Sequence, residues 1–296
     1  MTAKKKKKVF ALLTFTAFVL PALGAILLSV EIPFLMSIVY SFTKWNGLDR
    51  VPEFIGFANY TELFTDDSAM MNALVFTFKQ AFFRVIFTNI IALLLAVFLD
   101  GKMRGKNALR AAFYIPNIIS LIVIGYIWRF IFSRGFDSFY KTVKLPFLMY
   151  SWLGDGNMAF ISVLIVSIWQ SIGFYMVVYI AGLQVIPRDV IEAAMIDGAG
   201  NVAGFFKITI PLIMPSITVA VFHSVANSMK AFDVIFSLTS GGPGNVTTSI
   251  ALDIYKTAFV VSRFGYGTAK SVFLFLLILF ITFFQVKFFK QREVEA

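Results

Sequence analysis

The feature that most constrains this chain is a series of six apolar stretches, each of roughly 20 residues or more. A helix of that length crosses a hydrocarbon core of ~30 Å. With 59% hydrophobic and 14% charged residues, the chain is too apolar for an ordinary soluble domain. We therefore predict an all-α integral membrane protein. It forms a single transmembrane domain over residues 1–296, with spans at about 12–41, 72–99, 109–132, 158–183, 212–238 and 270–289.

The segment 186–211, between the fourth and fifth predicted spans, is different because it carries charges every few residues. Pro187 suits the first turn of a helix, and Gly198 suits the residue just past its end. Apolar residues recur four apart between them, which predicts a short amphipathic helix. Asn201 can cap a second short helix, which Pro211 would end. This helix–turn–helix is too short and too charged to cross a bilayer, so we expect it to stand in water and dock on a partner.

The distribution of Lys and Arg predicts which side of the membrane each loop occupies. A basic run at residues 4–8 precedes the first apolar stretch, which continues to Tyr40 without a cleavage site typical of a signal peptide. More basic residues fall at the amino terminus, in the 101–110 turn, in the 186–211 segment and at the carboxyl end than in the other loops. Both termini and the 186–211 segment are therefore predicted to be cytoplasmic.

The order of residues in the 186–211 segment resembles the EAA loop of membrane subunits of ABC importers. Glu192-Ala193-Ala194 is followed after three residues by Gly198, and after nine more by Ile208-Thr209-Ile210-Pro211. Family members usually have Leu where Ile210 stands, which is a conservative departure. In that family the loop is cytoplasmic and inserts into a groove on the ATPase subunit. The coupling residues that the resemblance implies are Glu192, Ala193, Ala194, Asp197, Gly198, Gly200 and Pro211.

Glu192 has two interpretations. On the exposed face of a short helix, its carboxylate can pair with an arginine of a partner protein. Alternatively, it is a solvated surface charge, and the segment is an ordinary connector between two spans. The motif around Glu192 favours the docking role.

The resemblance covers nearly the whole chain. The runs 41–47, 54–60 and 110–116 are similar to segments of the carbohydrate-uptake permeases related to the maltose and glycerol-phosphate systems. It implies a bacterial cytoplasmic membrane location, a sugar or sugar-like solute, a second homologous permease subunit, a dimer of ATP-binding cassette ATPases and an extracytoplasmic solute-binding protein. ATP and Mg would be bound by those ATPases, and this chain would carry no cofactor.

The sequence offers no catalytic or metal-binding constellation. His223 is the only histidine and cysteine is absent, so His-pair metal sites and most catalytic triads are excluded. No G-x-x-x-x-G-K run is present to hold ATP phosphates. The net charge of +10 could indicate nucleic acid, but the basic residues flank apolar spans, which membrane topology explains better. We predict a non-enzymatic subunit that binds no nucleic acid.

Polar residues within the spans are candidates for the solute pathway, because a polar solute needs hydrogen-bonding groups and aromatic faces near the membrane centre. The permeases that this chain resembles bind sugar on equivalent turns of these helices. The alternative is that Ser and Asn only hold helices together. The candidates are Asn117 and Ser120 on the third span, Gln170, Ser171 and Phe174 on the fourth, and Ser224, Asn227 and Ser228 on the fifth.

The main alternative function is an ion-coupled secondary transporter of a polar solute. Such a protein needs buried carboxylates or broken helices to couple the ion. Glu31 and Asp233 are the acidic candidates inside the predicted spans, and Asp233 lies near the end of one. A transporter of this kind would have no use for the 186–211 helix–turn–helix. A membrane-embedded enzyme is disfavoured because acid–base and metal clusters are missing.

Overall fold

The computed structural model describes residues 3–101, 103–198 and 200–292, with the backbone alone for residues 3–13, Arg188 and Asn201. The predicted basic run at 4–8 therefore lies outside the described side chains. The chain forms two compact units. Unit 1 comprises Met1–Asp66 and Ile254–Phe273, and unit 2 comprises Asp67–Asp253 and Leu274–Ala296.

The described secondary structure is almost entirely helical. In chain order the elements are α1 (Ala3–Ile26), α2 (Ile32–Tyr40), β1 (Thr43–Lys44), β2 (Glu53–Phe54), α3 (Ala58–Thr65), α4 (Ser68–Asp100), α5 (Lys106–Ile118), α6 (Leu121–Phe130), α7 (Phe136–Val143), α8 (Gly156–Val185), α9 (Arg188–Ile196), α10 (Asn201–Gly204), α11 (Ile210–Leu212), α12 (Met214–Met229), α13 (Asp233–Leu238), α14 (Ile250–Tyr255) and α15 (Phe264–Lys290). Single π-helical turns at Leu27–Glu31, Ile131–Gly135, Phe205–Thr209 and Lys256–Val260 join neighbouring helices, and Pro146–Met149 is a 3₁₀ turn.

Four helical stretches in the described chain are long and apolar enough to cross a membrane: Thr14–Tyr40, Ser68–Asp100, Gly156–Val185 and Phe264–Lys290. Two further candidates are bent pairs. Lys106–Ile118 meets Leu121–Val143 at 96°, and Val202–Leu212 meets Met214–Met229 at 71°. The described residues thus contain up to six candidate spans, if each bent pair is one span, in agreement with the all-α membrane fold predicted from the sequence.

The third and fifth spans differ from the continuous helices predicted at 109–132 and 212–238. The third is interrupted where Ile119 and Ser120 adopt extended backbone, with ψ of 141° and 131°. The fifth ends at Met229, and a separate short helix begins at Asp233. Asp233 stands in the first turn of that helix, where a negative charge is favourable. Hydropathy averaged over a window does not detect such interruptions, because the flanking residues remain apolar.

Unit 1 contains the two-stranded hairpin, in which Thr43 pairs with Phe54 and Lys44 pairs with Glu53 in antiparallel register. The side-chain amide of Asn59 on α3 donates to the carbonyl oxygens of Ser41 and Thr43, at 2.8 and 3.0 Å. These bonds satisfy backbone acceptors that the short hairpin leaves open, and so fix α3 against it.

Unit 2 is built around the packing of α4 against α8. Small residues Ala92 and Ala96 on α4 are fully buried and let Tyr175 and Tyr179 of α8 approach closely. Ala220 of α12 completes this cluster. Gly173 allows a still closer contact between α8 and α5, because a Cβ at this position would lie 2.7 Å from the Cα of Tyr114. Small residues at such contacts are what helix packing in a membrane requires, since dispersion contacts replace the hydrophobic effect there.

Candidate functional site: a polar cavity and a docking segment

A cavity of about 330 Å³ opens in unit 2 where the two interrupted helices meet α4 and α8. Its wall includes Asn117 from the last turn of α5, and Leu121 just after the break that follows. Another part of the wall is residues 230–235, which contain the break between α12 and α13. Non-helical backbone at membrane depth is tolerated where it lines a cavity, and solute sites in transporters are built from such discontinuous helices.

The cavity contains a cluster of aromatic rings around His223. The rings of Phe174 and His223 lie 4.8 Å apart between centroids, tilted by 34°. The hydroxyl of Tyr175 lies 3.2 Å from Nδ1 of His223, and the amide nitrogen of Asn227 lies 3.1 Å from Nε2. These contacts fix the rings in place. A rigid aromatic face beside amide groups can stack on a sugar ring while hydrogen-bonding its hydroxyls.

Five of the eight predicted pathway residues lie in the wall of this cavity. They are Asn117, Gln170, Ser171, Phe174 and Asn227. The structure therefore brings together side chains from three predicted spans, through the elements α5, α8 and α12.

The other three predicted pathway residues lie elsewhere. Ser120 is exposed at the break before α6. Ser224 is buried and accepts a hydrogen bond of 2.9 Å from the amide of Asn89, which joins α12 to α4. Ser228 is fully buried, and its hydroxyl has no hydrogen-bond partner among the described residues. For Ser224 the role visible in the structure is holding helices together, as the alternative interpretation has it.

The sequence reasoning missed the contribution of α4. Arg84, near the middle of this span, lines the cavity, as does Tyr175 of α8. A charged residue inside a membrane span is itself a signal of a functional site, because burying a charge in the bilayer is costly. Arg84 carried that signal, and a search for isolated charges within the spans would have found it.

The 186–211 segment forms the helix–turn–helix that the sequence predicts. Helix α9 ends at Ile196, and Gly198 follows with φ of +82°, a conformation that favours glycine. The amide of Gly198 donates to the carbonyl of Met195 at 3.1 Å, which closes the turn. The second helix, Val202–Leu212, ends one residue after Pro211, close to the end that the sequence predicts, and the interruption comes at Ile213.

The predicted coupling residues of this segment are largely accessible. Glu192, Ala193, Asp197, Gly198 and Gly200 are exposed, and Ala194 is half-buried; Ala199 between the two glycines lies outside the described residues. Ile196 is 85% exposed, although it is apolar. Alanines beside an exposed carboxylate permit close approach of a partner backbone.

The end of unit 2 next to the 186–211 segment is held together by polar contacts. Asp100, the last residue of α4, accepts a hydrogen bond of 3.2 Å from the amide of Gln184 near the end of α8. Arg110 of α5 donates to the carbonyl of Leu99 at 2.8 Å and lies 3.8 Å from the Asp100 carboxylate. Because α8 leads directly into α9, these contacts lie between α9 and the helices that line the cavity.

Within the described residues, no group of three or more His, Cys, Asp or Glu side chains is placed to hold a metal ion. Unit 2 therefore contains a polar cavity and, continuous in sequence with α8, an exposed helix–turn–helix.

Comparisons with known proteins identify relatives over nearly the full length. The model of a family described as "Binding-protein-dependent transport system inner membrane component" matches residues 88–293. The probable starch degradation products transport system permease protein AmyD of Thermoanaerobacterium thermosulfurigenes is 41% identical over 293 residues, 99% of each chain. The multiple sugar-binding transport system permease protein MsmF of Streptococcus mutans is 34% identical, over 88% of this chain and 90% of that protein.

A similar fold occurs among solved structures. A chain of a bacterial ABC transporter involved in the import of the acidic polysaccharide alginate superimposes with a TM-score of 0.82 at 20% identity, over 97% of this chain and 99% of that one. At this level of identity the likeness concerns the fold alone.

Proposed function

Because the chain belongs to the family of binding-protein-dependent transport system inner membrane components, we propose that it forms half of the pathway by which a sugar or sugar-like solute crosses a bacterial plasma membrane. Membership of this family makes it a permease subunit of an ABC importer, as the sequence predicted. The names of its relatives refer to starch degradation products and to multiple sugars, which supports a carbohydrate as the solute. The cavity between the interrupted helices carries the proposal, since it combines an aromatic face with amide groups.

We propose that the 186–211 segment couples the cavity to the ATPase subunits. ATP binding would close the two ATPase subunits, and the groove that holds α9 would carry this helix with it. The exposed Glu192 carboxylate would pair with an arginine there, while Ala193 and Ala194 allow close contact. Movement of α9 would pass to α8 and, through the contacts at Asp100, to α4.

The assembly that this proposal requires has four kinds of component. A similar but distinct second permease supplies the other half of the pathway, and a dimer of ATPases binds ATP and Mg. An extracytoplasmic binding protein delivers the solute when the pathway faces outward, and hydrolysis resets the inward state. Both termini and the 186–211 segment of this chain would lie in the cytoplasm, consistent with the distribution of basic residues.

The ion-coupled alternative gains no support. Of its two carboxylate candidates, Glu31 is exposed on unit 1, while Asp233 lines the cavity of unit 2. The relatives named above are permeases of binding-protein-dependent systems. A secondary transporter would also carry solute in vesicles that contain this chain without ATP or partners.

The experiment that tests the proposal is the substitution Glu192→Lys in the reconstituted importer, with uptake and ATP hydrolysis measured together. We expect the variant to insert and assemble while hydrolysis no longer drives uptake, because the reversed charge repels the arginine. Asp49→Lys, which reverses an exposed carboxylate in a loop of unit 1, serves as the matched control and should leave uptake unchanged. Coupled uptake at the wild-type rate in Glu192→Lys would count against the docking role.

A further inference from the structure

Arg84 is the charged residue of α4 that lines the solute cavity. It lies outside the region matched by the family model, which begins at residue 88. Its side chain is half-buried, and among the described residues it makes no hydrogen bond and no ion pair. A guanidinium carries five N–H donors and a permanent charge. Keeping such a charge away from bulk water is unfavourable unless a counter-charge or a set of acceptors compensates it.

The neighbouring polar groups do not supply that compensation. Gln80 lies one helical turn before Arg84 and is fully buried, yet neither amide atom has a partner among the described residues. Asn89 directs its amide oxygen to Tyr179, at 2.6 Å. The hydroxyl of Tyr175, which also lines the cavity, lies 3.2 Å from Nδ1 of His223. Among the described residues, none of these groups forms a hydrogen bond with Arg84.

The charges of the cavity wall do not balance. Arg84 and Lys230 are positive and Asp233 is negative, which leaves one excess positive charge when His223 is neutral. The ion pair of unit 2 between Arg110 and Asp100 involves no residue of this wall. A solute made only of hydroxyl groups would leave that charge uncompensated, whereas a solute bearing one anionic oxygen group would neutralise it.

We propose that Arg84 binds the solute directly, and that the solute is a sugar derivative carrying an anionic oxygen group such as a carboxylate. The inference rests on the proposed transport function and specifies its substrate class. The guanidinium fork would take two oxygen atoms of the anionic group in parallel hydrogen bonds. The sugar ring would lie against Phe174 and His223, with Asn117 and Gln170 near its hydroxyls. The volume of about 330 Å³ lies within the range of small-molecule sites.

The test uses the assembled importer in nanodiscs without nucleotide, and two probes, glucose and glucuronate. These share ring and stereochemistry and differ in the carboxylate at one carbon. We expect the wild type to bind glucuronate at least about tenfold more tightly than glucose, corresponding to ~1.4 kcal/mol. Arg84→Gln should bind both probes about equally, and Arg84→Lys should retain part of the preference, because it keeps the charge but loses the fork.

Lys79→Gln is the matched control, because Lys79 lies five residues earlier on α4, is exposed and does not line the cavity. It removes the same charge and should leave the preference for glucuronate intact. The inference would be overturned if the wild type fails to bind glucuronate or shows no preference for it over glucose. It would also be overturned if the preference survives in Arg84→Gln. Loss of subunit association in Arg84→Gln without a change in preference would overturn it too, because Arg84 would then pair with a carboxylate of the second permease.

Failure of this inference is distinguishable from failure of the proposed function. If the importer takes up a neutral sugar with ATP and Arg84→Gln does so equally well, the transport function stands and the anionic subsite does not. If the chain associates with no ATPase dimer, the function itself is refuted, whatever the probes show.

Discussion

Substituting Gly173 by alanine should force α5 and α8 apart. A Cβ at this position would lie 2.7 Å from the Cα of Tyr114 and closer still to the backbone carbonyl of Phe113. Carbon atoms in ordinary contact lie ~3.5–4.0 Å apart, so the two backbones would have to separate by about 1 Å. Neither neighbour can rotate away, because both are backbone atoms. We expect the assembled importer to lose about 1–3 kcal/mol of stability, the typical cost of overpacking.

The same displacement should impair transport. Asn117 lies one turn after Phe113 on α5, and Gln170 lies one turn before Gly173 on α8, so widening this contact moves two walls of the solute cavity. The assay is thermal unfolding of the purified importer followed by circular dichroism, together with ATP-driven uptake in proteoliposomes.

Gly24→Ala provides the matched control for this substitution. Gly24 lies inside a helix of the first span, and beyond its own helix no atom of the described residues comes within 4 Å of the place that an alanine methyl group would take. The variant therefore gains the helix propensity of alanine without a clash. It should be as stable as the wild type or slightly more so. If Gly173→Ala unfolds at the same temperature as Gly24→Ala and transports at the same rate, the close α5–α8 contact is not what positions the cavity.

Two further experiments test how polar contacts stabilise each of the two units. Tyr179→Phe removes the hydrogen bond of 2.6 Å to Asn89 and should lower the free energy of unfolding by ~0.6–1.7 kcal/mol, as measured by thermal unfolding. The control Tyr126→Phe changes an exposed tyrosine and should have no measurable effect, so equal effects of the two substitutions would refute the contribution of this bond. The bidentate pair of Glu62 and Arg263 in unit 1 is partly exposed, so a double-mutant cycle to Gln should give a coupling energy of only ~0.2–1 kcal/mol that falls in high salt. A salt-independent coupling of several kcal/mol would contradict this screened, surface character.

Much of the architecture could be predicted from the sequence because it depends on one-dimensional signals. The length of each apolar stretch predicts a span, and the interruption of that pattern by charges predicts a segment outside the membrane. Gly198 shows that such a signal can identify a single residue. Its position after an amphipathic helix predicts a turn, and the structure gives it a φ of +82°.

The candidate site could be predicted only in part. Gln170 and Phe174 were identified as a pair because residues four apart share a helix face, and both line the cavity. Ser224 satisfied the same rule on its own helix but bonds Asn89 of α4 instead. Spacing along one helix shows which residues share a face of that helix. It does not show whether that face packs against another helix or lines a cavity.

The sequence by itself indicated an all-α membrane protein in which a charged helix–turn–helix separates the fourth apolar stretch from the fifth. Tertiary structure alone decided that Arg84 lies in the cavity wall, together with the helix breaks that precede Leu121 and Asp233. The physical reason is that a transmembrane helix such as α4 contacts lipid on one side and protein on the other, and both environments are apolar. Its sequence therefore lacks the apolar stripe that identifies the inward face of a helix in a soluble protein. Which of its side chains meet the solute is fixed only when α4 packs against α8 and α12.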